Sequence, residues 1–96
     1  MSLAFYSISN QLISANENNQ ASYFVELYKD VDPANPEAWY FSAILNARNH
    51  NNTAAKVDLL KADSLGFNDK KRLEAQPEFQ TGLSPYDLSE IESKMK

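Results

Sequence analysis

The sequence predicts an all-α domain, and three observations carry that expectation. Apolar residues recur at spacings of three and four along nearly the whole chain. Strand-like alternation of apolar and polar residues is absent. Glycine and proline are few, two and four, and Pro36, Gly66 and Pro85 sit where a helix would start or stop. Ninety-six residues suffice for one domain. A chain this small buries only about 60–65 % of its unfolded surface, so the core is modest.

The elements follow in order. Residues 3–15 place Phe5, Ile8, Ser9, Leu12 and Ile13 on one amphipathic face. "NENN" at 16–19 reads as a turn, because Asn tolerates the left-handed conformation best after Gly. Residues 20–31 carry Ala21, Phe24, Val25, Leu27, Tyr28 and Val31 as a second helix. "DPANP" at 32–36 stops it, since a residue before proline avoids the helical region. Asn35 then caps a third helix with Pro36 in its first turn. "RNHNNT" at 48–53 is another polar turn, and residues 53–65 form a fourth helix. Gly66 ends it, with Phe67 placed to fold back on the last turn. Asp69 can cap a short helix running to Ala75. Ser84, Pro85 and Asp87 form a capping box for a tail helix over 85–96, whose apolar stripe is Leu88, Ile91 and Met95.

These helices repeat. An offset of 34 residues lays Phe5 on Trp39, Ser9 on Ala43, Asn16 on His50, Ala21 on Ala55, Val25 on Leu59 and Pro33 on Phe67. Large aromatic meets large aromatic, small meets small, and turn meets turn. Residues 2–35 and 36–69 are thus two copies of one helix–turn–helix unit, followed by a closing segment over 70–96. The spacing and residue types resemble the tetratricopeptide repeat, over about residues 2–69. Trp39, Ala43, Ala55, Leu59 and Ala62 stand at that family's large, small, small, large and small positions, and Phe5, Ser9, Ala21, Val25 and Pro33 do so in the first copy. The chain departs from the pattern at Tyr28, where a small residue is usual, at Asn46, often aromatic, and at Phe67, which replaces the terminal proline. The resemblance implies a repeat solenoid of two hairpins plus C-terminal capping helices. It also implies that Trp39 is a core aromatic, the counterpart of Phe5.

Composition narrows the function. Without cysteine, no disulfide framework and no Cys-based zinc or redox site is available, and the redox compartment stays open. One histidine excludes two-His metal motifs, and His50 reads as a turn residue. Asp30, Asp32, Glu90 and Glu92 lack the spacing of a metal loop and read as surface charge. The net charge is −4 and the nine Lys and Arg are scattered, which argues against nucleic acid. "KKR" at 70–72 is too short a run for that purpose and reads as helix-surface charge. No apolar run approaches the roughly 18 residues of a membrane span, so membrane insertion is not expected. The N-terminus lacks the basic and apolar regions of a signal peptide, and localisation is not legible from it. No convergent polar cluster points to catalysis, a metal or a cofactor.

The resemblance implies a concave groove lined by the first helix of each unit. That geometry would place Tyr6, Asn10 and Ile13 there, with Tyr40, Phe41, Ile44 and Arg48 from the second copy. An apolar, aromatic lining with one Asn and one Arg suits a peptide or an amphipathic helix. The family's carboxylate-clamp variant needs basic and Asn side chains, and only Asn10 fits, while Tyr6, Glu37 and Phe41 break the pattern. The expectation is a non-catalytic protein-interaction or scaffold module, standing alone or closing a larger repeat protein. The alternative is a homo-oligomerisation element, with the groove covered by its own tail helix or by a second copy in a homodimer. Two repeats are fewer than a comfortable stack needs. Leu3, Ile8 and Leu12 would therefore require cover from an upstream region, a second copy or the tail.

Overall fold

Most helix boundaries fall on a local signal that nearby residues supply. The computed structural model describes residues 2–95, with side chains from Ala4 onward, so Leu3's side chain lies outside the described residues. Seven helices run through them, with no strand among the described residues. They are α1 (Ser2–Ser14), α2 (Asn18–Val31), α3 (Pro36–Arg48), α4 (Asn52–Ser64), α5 (Lys70–Ala75), α6 (Pro77–Gly82) and α7 (Pro85–Ser93). The chain is all-α, as its periodicity predicts.

The caps account for the boundaries. Asn35 Oδ1 accepts from Glu37 N at 3.0 Å ahead of Pro36. Asp69 accepts from Arg72 N at 3.1 Å, and Ser84 Oγ from Asp87 N at 3.1 Å. At the other end of α1, Asn16 takes the left-handed conformation at φ 60°. Asn16 N donates to Ile13 O and Glu17 N to Leu12 O, which satisfies two orphan carbonyls of the last turn. His50 does the same after α3 at φ 61°, with His50 N on Ala47 O and Asn51 N on Asn46 O. The two turns share one hydrogen-bond pattern 34 residues apart. Gly66, at φ 108°, closes α4 in the same way, and Phe67 N donates back to Ala62 O at 3.0 Å.

Three features differ from the sequence expectation. Helix α2 begins at Asn18, inside the turn expected over 16–19, because Asn16 in the left-handed conformation already reverses the chain. Residues 77–82 form a separate helix, because Pro77 sets the first-turn geometry that six residues cannot advertise through periodicity. The tail helix stops at Ser93 rather than at the chain end, leaving Met95 buried just beyond it.

Helix α3 is the centre of the molecule. Ala38, Tyr40, Phe41, Ser42, Ala43, Ile44, Leu45 and Ala47 are all buried, so every side of it is covered. Helices α1, α2, α4 and α6 pack on it, α1 packs on α2, and α7 packs on α4. The radius of gyration is 12.2 Å. A globular chain of this length has about 12.5 Å, so the helices close on one another rather than string out.

The small residues that the 34-residue offset pairs are buried: Ser9, Ala21, Ala43 and Ala55 have no exposed surface. Three are alanine. Ser9 keeps a hydroxyl with no hydrogen-bond partner in the core. An unsatisfied buried polar group costs about 1–3 kcal/mol, part of which a methyl recovers. Ser9→Ala, the residue at its repeat counterpart, should raise stability by about 1 kcal/mol in urea titration. A loss of stability would mean that the hydroxyl is bonded in solution.

Candidate functional site

The face of α3 that carries Tyr40, Phe41, Ile44 and Arg48 is built mainly of aromatic rings. Tyr40 stacks on Phe67, with ring centroids 4.7 Å apart, and meets Phe79 of α6 edge-on at 5.6 Å. Phe41 lies 5.4 Å from Tyr6 of α1 and 6.5 Å from Tyr28 of α2. Tyr28 in turn stacks on Phe5 at 6.1 Å. Burial pushes the Tyr28 phenol up to about 12, helped by the negative charges of Glu37 and Asp32. Burial raises Tyr40 as well, and its hydroxyl stays protonated and donates to Arg72 O at 3.3 Å.

Two arginines clasp the C-terminal segment over these rings. The Arg72 guanidinium of α5 lies 4.3 Å above the Tyr40 ring and 5.7 Å from that of Phe41. Its Nη1 donates to Glu37 Oε1 at 2.6 Å. Burial opposes the charge on Arg72, but the hydrogen bond and charge of Glu37 more than offset it, so its pKa rises. At the other end of α3, Arg48 Nε donates to Glu78 Oε2 of α6 at 2.6 Å and Nη1 to Asn18 Oδ1 at 2.8 Å. Gln76 Nε2 donates to the other Glu78 oxygen at 2.6 Å. Burial works against ionised Glu78, yet the Gln76 and Arg48 bonds hold its carboxyl below the usual range.

The expected groove residues are therefore brought together but not left open. Ile13, Tyr40, Phe41 and Ile44 are buried, Tyr6 and Arg48 are half-buried, and Asn10 alone is exposed. The cover has two sources: Phe79 and Glu78 of α6 take Tyr40 and Arg48, and Phe41 is enclosed by Tyr6, Tyr28 and the Arg72 guanidinium. The tail helix does not provide this cover. It packs on α4 through Leu88 and Ile91, and Lys56 Nζ bridges Asp87 at 3.0 Å and Glu90 at 3.2 Å. Arg72 also corrects the reading of 70–72 as plain surface charge, whereas Lys70 and Lys71 are exposed as expected.

A second, polar cluster sits where α2, α3 and α4 meet. Asp58 Oδ2 accepts from Ser42 Oγ and from Asn46 Nδ2, both at 2.7 Å, and Ser42 Oγ accepts from Lys29 Nζ at 3.3 Å. Trp39 joins this seam. Its ring lies 4.8 Å from Lys29 Nζ and 5.6 Å from Lys61 Nζ, and its indole N–H donates to Pro33 O at 2.9 Å. It is half-buried and packs against the core, as Phe5 does. The one available signal for this cluster was Asn46 at a position usually aromatic.

Among the described residues, no group of three or more His, Asp or Glu side chains converges in a way that could hold a metal. No described helix is long and apolar enough to cross a membrane. His50 is exposed in its turn. Comparison of the chain with family models, with curated proteins and with solved structures finds no match.

Asp63, near the end of α4, contrasts with Asp58. It is buried, and neither carboxylate oxygen has a hydrogen-bond partner. Burial pushes its pKa from 3.8 up to about 6, and the charge of Lys94 only partly opposes the shift. The folded chain therefore binds this proton more tightly than the unfolded chain does. The contribution of this group to stability falls as pH rises from about 4 to about 6 and is level beyond. Asp63→Asn should stabilise the fold by about 2–3 kcal/mol at about pH 8, and far less at about pH 3.5, in paired denaturant titrations. An equal gain at both pH values would contradict the assignment.

Proposed function

We propose that the chain is a non-catalytic protein-interaction module of the tetratricopeptide type, two hairpins closed by a capping segment. The matching turns at Asn16 and His50 and the buried small residues support the repeat reading. One observation carries the functional reading. The α3 face already holds a short helix, α6, by an aromatic anchor on Tyr40 and a carboxylate on Arg48. This is helix-in-groove recognition practised within one chain. A partner helix with the same pairing, an aromatic residue next to an acidic one, would compete with α6 for Tyr40, Phe41, Ile44 and Arg48.

The test loosens the internal occupant and offers it back. Phe79→Ala should leave the chain helical while weakening α6 by about 3–5 kcal/mol at most. A labelled peptide spanning residues 68–83 should then bind this variant saturably, and bind the native chain at least tenfold more weakly. Adding Arg48→Glu should abolish the interaction. No saturable binding to a helical Phe79→Ala chain would remove the α3 face as a recognition surface.

A further inference from the structure

One end of α7 is held to α4 by charge, and the other end covers a carboxyl group left without a partner. Lys56 of α4 bridges Asp87 at 3.0 Å and Glu90 at 3.2 Å toward the start of α7. Asp63 lies seven residues beyond Lys56, about two turns, so it shares the face of α4 that meets α7. Lys94 lies seven residues beyond Asp87, at the C-cap of α7, and its charge reaches Asp63. The two helices therefore run in the same direction, front against front and rear against rear. At the rear, Ile91 and Met95 are buried. Asp63 is 7 % exposed, and neither of its carboxylate oxygens has a hydrogen-bond partner.

The charged groups of the surrounding elements are engaged elsewhere. On α4, Asp58 is bonded to Ser42 and Asn46, and Lys61 lies by the Trp39 ring. On α3, Glu37 holds Arg72 and Arg48 holds Glu78. On α5, Asp69 caps its own helix, and Glu74 hydrogen-bonds to Glu92 of α7. Among the described residues, Lys94 is the cation whose charge bears on Asp63, and it makes no hydrogen bond to it. The Glu74–Glu92 contact also depends on a proton, since two carboxyl groups bond only when one of them carries it. Burial and that bond raise Glu92, against the charge of Lys70. The front of α7 differs, because the Lys56 bond holds Asp87 ionised, below the usual carboxylate range.

We propose that α7 is a proton-operated latch: its front stays pinned to α4 through Lys56, while its rear, from Ile91 to Met95, lifts off when Asp63 loses its proton. A terminal helix of nine residues can open locally without unfolding the core. Lifting gives water to a carboxylate that has no partner in the closed form. With the rear closed the Asp63 pKa is about 6, and with it open the ordinary 3.8 returns. The closed form binds the proton more tightly, so opening is favoured as pH rises. The opening equilibrium should grow about 50-fold between about pH 4 and about pH 7 and then level off. Loss of the Glu74–Glu92 proton acts in the same direction. The inference uses neither the repeat correspondence nor the α3 face.

The chain lacks cysteine, so single-cysteine variants report the opening directly. The rate at which Met95→Cys reacts with a thiol reagent, divided by that of the exposed Tyr86→Cys at the same pH, should rise about 50-fold between about pH 4 and about pH 7. Ile91→Cys should repeat the result, so the outcome does not hang on one substitution. In the Asp63→Asn background both ratios should stay within about threefold. Val25→Cys, buried in α2, should stay protected throughout, because the hairpins remain folded. Three results would overturn the proposal: pH-independent ratios at both positions, a rise that persists with Asp63→Asn, or Val25→Cys rising in step with them.

Discussion

A helix buried along nearly its whole length must be enclosed, and α3 imposes that constraint on the rest of the molecule. Ala38, Ala43 and Ala47 are buried along it, and their small side chains let helices approach closely. Phe41 is packed by the rings of Tyr6 and Tyr28 from the first hairpin, whereas Tyr40 meets the C-terminal segment. Phe67, Arg72 and Phe79 complete the enclosure by stacking, by cation–π contact and edge-on. Burying a large aromatic side chain contributes about 2–3 kcal/mol, enough to matter in a domain of this size. The turn at Gly66 exists to bring the chain back for this purpose, since it aims Phe67 at Tyr40.

The ion pairs are secondary to the rings but set their register. Arg72 to Glu37 and Arg48 to Glu78 fix the two ends of the α5–α6 segment against the two ends of α3. Both pairs are only partly exposed, so they are less screened than ordinary surface pairs. Protonation of Glu78 in acid would release one end of the clasp. Asp63 acts in the opposite direction, because its burial favours the protonated form. The acid response of the fold is therefore a balance between carboxylates held ionised, Glu78 and Asp87, and carboxylates whose burial favours the proton, Asp63 and Glu92.

Much of this was legible in the sequence, and the gaps have physical causes. Caps and periodicity specify α1 to α5 and α7, because Asn35, Asp69 and Ser84 act on backbone groups two or three residues away. The turns at Asn16 and His50 are equally local. Helix α6 escapes because Gln76 at its N-cap makes no side-chain cap bond, and six residues carry too little periodicity to stand out without the kind of cap that Asp69 gives α5. The apolar stripe of α3 is readable, but what covers it is not: spacing shows that Tyr40 and Phe41 want burial and cannot say which later residue supplies it. The seam of Lys29, Ser42, Asn46 and Asp58 depends on how three helices cross, and no pattern along any one of them encodes it. Trp39 illustrates the difference. Its alignment with Phe5 marks it as scaffold, whereas its position between two lysines emerges only in three dimensions.

The central claim is that the α5–α6 segment and α3 form one cooperative unit joined at Tyr40. Amide hydrogen exchange, resolved along the chain under native conditions, tests it most directly. The account expects residues 70–83 to exchange slowly, with the same opening free energy as the core amides of α3. Exchange of residues 70–83 at free-peptide rates, with α3 still protected, would contradict it.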